Sequence, residues 1–91
     1  MTSEEALEIV EQLLPPGTLT PVKTLVFQQA WNAKEYMTIA KESGYDEAYL
    51  REAGAELWQA LSKALKEPVK KKNFRSLLKQ RFSYQSTYPQ Q

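Results

Sequence analysis

Apolar residues recur along the chain at three- and four-residue intervals, in runs separated by proline, glycine or polar breaks. Ala6, Leu7, Ile9, Val10, Leu13 and Leu14 make one face of a first helix, for which Ser3, followed by Glu4 and Glu5, supplies an N-cap and an acidic first turn. Pro15, Pro16 and Gly17 end it. Thr20 and Pro21 open a second helix, because the hydroxyl can cap free N–H groups and proline at the first position has no N–H to leave unpaired. Val22, Leu25, Val26, Gln29 and Ala30 form its face, Phe27 and Trp31 widen it, and the pattern stops near Asn32.

Residues 33–35 lead into a short third helix whose inward face is Tyr36, Ile39 and Ala40 and whose end is Gly44 in a left-handed cap. Asp46 caps the longest helix, with Tyr49, Leu50, Ala53, Leu57, Trp58, Ala60, Leu61, Ala64 and Leu65 along its face and Pro68 as its stop. Gly54 interrupts a run of good helix formers at about 1 kcal/mol relative to alanine, which predicts another backbone packed closely against it. Asn73 is the expected cap of a last helix, in which Phe74, Leu77, Leu78 and Phe82 oppose Arg75, Lys79 and Arg81. No strand alternation appears. The fold class is all-α, a compact bundle of about five helices over residues 1–82, and residues 83–91 (SYQSTYPQQ) read as a flexible polar tail or linker.

Within this frame residues 36–65 have the spacing of a helix-turn-helix. Two helices that cross steeply need a small residue at the crossing and a left-handed residue in the turn, and Ala40 and Gly44 meet those needs. Ile39 and Tyr45 flank them as apolar contacts, and Leu50 and Ala53 face back from the second helix.

Composition narrows the chemistry. The 91 residues include no Cys and no His, which removes thiol nucleophiles, cysteine and histidine metal sites and the commonest general base. Gly17, Gly44 and Gly54 lie too far apart for a phosphate-cradling loop. Glu52 and Glu56, one helical turn apart, are the nearest approach to a carboxylate pair and have no complementary acid, base or metal ligand nearby in sequence. The expectation is a protein that is not an enzyme and takes no metal, cofactor or small-molecule substrate. No run approaches a membrane span and the acidic start is unlike a signal peptide, so the expected location is the cytoplasm.

The net charge of +1 conceals an asymmetry. Residues 1–62 carry four bases against ten acids, a balance of −6; residues 63–81 carry eight bases against Glu67, a balance of +7. The basic end can meet phosphates, an acidic partner, or the protein's own acidic body.

The run EYMTIAKESGYDEAYLREAGAELWQALSKALKEPVKKKNFRSLL, residues 35–78, resembles the N-terminal helix-turn-helix domain of cyanobacterial multidomain signalling proteins, in which such a domain precedes an AAA-like or NB-ARC NTPase or stands in a von Willebrand A/MoxR-associated architecture. Tyr36, Ile39, Ala40, Gly44, Tyr45, Asp46, Tyr49, Gly54, Leu57, Trp58, Leu61, Ser62, Leu65, Glu67, Val69, Lys72, Asn73, Phe74 and Leu78 carry the match, and Val26, Phe27 and Trp31 extend it. The resemblance implies a fold like the sigma-factor region that reads the −35 promoter element. Glu35 stands where a threonine cap is expected, and Lys66 where a glycine is expected.

Two functions follow. In the first, the domain is a DNA-binding or regulatory helix-turn-helix in which the leading turns of the long helix, with Tyr49 and Arg51, enter the major groove while Lys70, Lys71, Lys72, Arg75 and Lys79 hold phosphates. Asp46, Glu47 and Glu52 oppose that reading. In the second, the domain keeps the fold without binding DNA and acts as an adaptor for a protein partner or a C-terminal NTPase domain, with Tyr49, Tyr84 and Tyr88 as exposed aromatics and Trp31 and Trp58 in the core.

Overall fold

The computed structural model describes residues 1–87, with side chains described through Phe82. The described residues form five helices: α1 (Ser3–Leu13), α2 (Pro21–Trp31), α3 (Tyr36–Ser43), α4 (Glu47–Leu65) and α5 (Phe74–Thr87). The all-α expectation holds among the described residues, and α5 continues through Thr87, beyond the boundary that composition placed at Phe82. The expected exposure of Tyr84 and Tyr88 lies outside the described side chains.

Local chemistry sets most helix ends. The first cap is Thr2, one residue earlier than expected: its side chain accepts from Glu5 N–H at 3.1 Å and the Glu5 carboxylate accepts from Thr2 N–H at 2.9 Å, a reciprocal capping box that Ser3 would leave without its glutamate. Thr20 and Asp46 cap α2 and α4 as expected, accepting from Lys23 N–H at 3.3 Å and Tyr49 N–H at 3.2 Å. Gly44 ends α3 with φ +84°.

The α2 terminus is a Schellman motif without its glycine. Lys34 N–H donates to Gln29 C=O, Ala33 N–H donates to Ala30 C=O, and Ala33 takes φ +65°. Lys66 takes φ +59° at the end of α4, so a non-glycine residue also makes that left-handed turn ahead of Pro68.

The core is one cluster. Val10 of α1, Val26 and Phe27 of α2, Ile39 of α3, Leu50, Leu57 and Leu61 of α4, and Phe74 and Leu78 of α5 are fully buried, with Trp31 and Trp58 beside them. Phe74 joins three helices through aromatic contacts: Trp58 at 4.5 Å, Phe27 at 5.3 Å and Trp31 at 5.8 Å between ring centroids. The two central helices α2 and α4 pack together, α1 covers both, and α3 crosses α4 at the helix-turn-helix.

Between α4 and α5 the chain is tied down residue by residue. Val69 is buried, and its N–H donates to Ser62 Oγ at 2.8 Å. Asn73 does not cap α5 forwards: its Oδ1 accepts from Lys70 N–H at 2.7 Å and its Nδ2 donates to Pro68 C=O at 3.2 Å, so its side chain is spent on holding the preceding turn. That turn presents Lys70, Lys71 and Lys72.

Candidate functional site

The helix-turn-helix surface is built around Tyr36, the first residue of α3. Its hydroxyl accepts from Trp58 Nε1 at 3.1 Å and its ring lies against Gly54. Gly54 therefore accommodates the Tyr36 side chain, not another backbone as its place in the sequence suggested. Arg51 of α4 and Lys71 of the α4–α5 turn both bring their charge to the same ring, 5.3 Å and 5.6 Å from its centroid. The basic segment and the leading turns of α4, 20 residues apart in sequence, thus meet at one aromatic side chain of α3.

The remaining bases are distributed differently. Arg75 Nη1 donates to Trp31 C=O at 2.7 Å, and the ammonium of Lys79 lies 5.8 Å from the Trp31 ring centroid. Arg81 reaches back to the end of α4, donating to Leu65 C=O at 3.0 Å and pairing with Glu67 at 2.9 Å through Nε. Lys70 and Lys72 are exposed and make no ion pair among the described residues. The acidic body pairs within itself, Lys23 with Glu56 at 3.1 Å, Lys34 with Glu42 and Arg51 with Glu47 at 2.6 Å. Among the described residues, then, the basic end meets aromatics and backbone carbonyls and does not pair with the acidic body.

The chain belongs to the N-terminal helix-turn-helix family of vWA-MoxR associated proteins. The family model matches residues 1–81, from ahead of the Thr2 cap to Arg81 in α5. No curated protein and no solved structure matches the chain.

In this vWA-MoxR associated helix-turn-helix the turn between α3 and α4 is Gly44, Tyr45 and Asp46. Tyr45 does not pack inwards as expected. It is 41% exposed and lies 5.7 Å from the ring of Tyr49, itself 48% exposed. Ser43 explains the outward course: its hydroxyl donates to Ile39 C=O at 2.6 Å and accepts from Tyr45 N–H at 3.2 Å, closing the turn so that Ile39 alone fills the inner position.

Around this aromatic pair the charge is negative. Asp46 and Glu52 are exposed, and Glu47 holds Arg51 through both Nε, at 3.0 Å, and Nη2, at 2.6 Å. Beside Tyr49 a groove of about 160 Å³ runs along Thr20, Val22, Lys23, Glu52 and Glu56. Among the predicted residues Tyr49 stands apart at the α3–α4 tip, Arg51 and Lys71 meet at Tyr36, Arg75 and Lys79 meet at Trp31, Lys71, Lys72 and Arg75 share one cleft, and Lys70 lies on the turn. Tyr45 is the surface residue that periodicity missed, because an aromatic after a turn glycine looks the same in sequence whether it points in or out. No helix among the described residues is long and apolar enough to cross a membrane.

Proposed function

We propose that the domain is a non-enzymatic regulatory module that works by protein contact, with the α3–α4 tip as its docking surface. The observation that carries this reading is the Tyr45–Tyr49 pair, exposed at the entry to α4 and bordered by Asp46, Glu47 and Glu52. Exposed tyrosines anchor protein interfaces because they bury a large rigid surface with few torsions to freeze. A helix entering the major groove is opposed by the phosphates where it carries more acids than bases, and here the one arginine is already held by a carboxylate. The complementary partner presents an arginine or lysine that can lie on Tyr49 and reach Glu52, within an otherwise apolar patch. The family's name, vWA-MoxR associated, makes vWA and MoxR proteins the first partners to try.

Duplex DNA is the second reading, favoured by the meeting of Arg51 and Lys71 at Tyr36, on the flank of the helix-turn-helix. One experiment separates the two. Purified vWA and MoxR-type proteins and a duplex are each titrated against the chain and its Tyr49→Ala and Glu52→Lys variants. The docking reading expects protein binding that either variant weakens at least about tenfold, or 1.4 kcal/mol. Duplex binding that strengthens in Glu52→Lys and weakens steeply with salt, with no protein binding, supports DNA and overturns docking.

A further inference from the structure

A cleft between the α2–α3 connection and the start of α5 takes no part in the tip. It is lined by Ala30, Ala33 and Glu35 from the end of α2 and its connection to α3, and by Lys71, Lys72, Arg75 and Ser76 from the α4–α5 turn and α5, with a volume of about 370 Å³. We propose that this cleft binds a phosphate monoester, the terminal phosphate of a nucleotide or similar small ligand.

Three features of the lining point there. Arg75 is held in place by its bond to Trp31 C=O, which uses one of the five guanidinium N–H groups and leaves the others for a tetrahedral oxyanion. Lys71 is fixed beside the Tyr36 ring, and neither it nor Lys72 has a carboxylate partner among the described residues. Glu35 is the acid of the lining, so three cations against one carboxylate leave a charge of +2. A phosphate monoester carries about −1.5 to −2 at neutral pH and neutralises that excess, whereas a phosphodiester or a side-chain carboxylate supplies about half of it. Ser76 lines the same cleft and carries a hydroxyl that can donate.

The inference is independent of the docking reading, since it uses none of the tip residues. Its test is an NMR titration of the full chain at constant ionic strength with inorganic phosphate, AMP, and a blunt duplex lacking terminal phosphates. Saturable shifts confined to residues 33–36 and 71–76, shared by phosphate and AMP, are expected. Lys71→Gln with Lys72→Gln weakens binding roughly tenfold and Glu35→Gln strengthens it severalfold, as like and unlike charges at close range require. Arg75 is left intact because its loss would also release Trp31. Lys63→Gln with Lys66→Gln, on cations outside the cleft, leaves binding unchanged. An equal loss in that control, the same shifts with chloride at the same ionic strength, or displacement of phosphate by the duplex at matched concentration of phosphate groups would overturn the proposal.

Discussion

The ring of Tyr36 occupies the space that a side chain at Gly54 would need: a Cβ there would lie 2.9 Å from Tyr36 Cζ and closer still to its hydroxyl oxygen. This contact sets how tightly α3 crosses α4, and through the same hydroxyl it fixes the Trp58 indole. Gly54→Ala gains about 1 kcal/mol of helix propensity, yet the overlap with a half-buried ring costs more, for a net loss of about 1–3 kcal/mol. Urea unfolding of the single variants and of Gly54→Ala in a Tyr36→Leu background measures the coupling. The glycine substitution should be neutral or stabilising once the phenol is gone.

Ala33 and Lys66 hold left-handed conformations that favour glycine. Replacing each by glycine relieves backbone strain and adds unfolded-state entropy, and the first effect is the larger, so each variant should gain about 0.5–1 kcal/mol. Their thermal midpoints should rise additively, because the two turns close different helices.

Among the described residues Gln29 Oε1 is buried without a hydrogen-bond partner, beside a small cavity lined by Leu25, Ile39, Glu42 and Ser43. Gln29→Leu removes the unpaired acceptor at similar volume. Chemical denaturation should show a gain on the order of 1 kcal/mol.

Arg81 links α5 to the end of α4 through Leu65 C=O and Glu67. Arg81→Ala should cost about 1 kcal/mol, and Arg81→Lys should recover little of it, because an ammonium cannot make both contacts in the same fixed fork. Hydrogen exchange of the amides of residues 65–70 is the local readout, expected to speed up in both variants.

Tyr49→Ala should leave stability within about 0.5 kcal/mol of the unaltered chain, since the ring is 48% exposed. Circular dichroism and urea unfolding check this, and they make any loss of partner binding in that variant attributable to the surface itself.

The hydrophobic spacing and the short-range cap chemistry made the five helices, the helix-turn-helix and its Gly44 turn legible, since each depends on residues within a turn or two of one another. The one-residue error at Thr2 is of the same local kind: either hydroxyl can cap, and the glutamate three residues on from Thr2 decides between them. Asn73 was ambiguous for a related reason, as an asparagine before a helix can bond forwards to the helix or backwards to the turn, and the buried Val69 anchor selects the second.

What the sequence by itself determined is the set of helices and their buried faces, because periodicity and capping act over a few residues. It also determined the charge asymmetry and the absence of cysteine and histidine chemistry. Only the tertiary structure decided that Gly54 makes room for a tyrosine, that Tyr45 faces outwards, and that the basic end meets Tyr36, Trp31 and Leu65 instead of the acidic body. The Gly54 contact and those of the basic end link residues 16 to 44 positions apart, and no local preference encodes which distant ring or carbonyl a long cationic side chain will reach; the outward Tyr45 turns instead on which local partners the Ser43 hydroxyl takes.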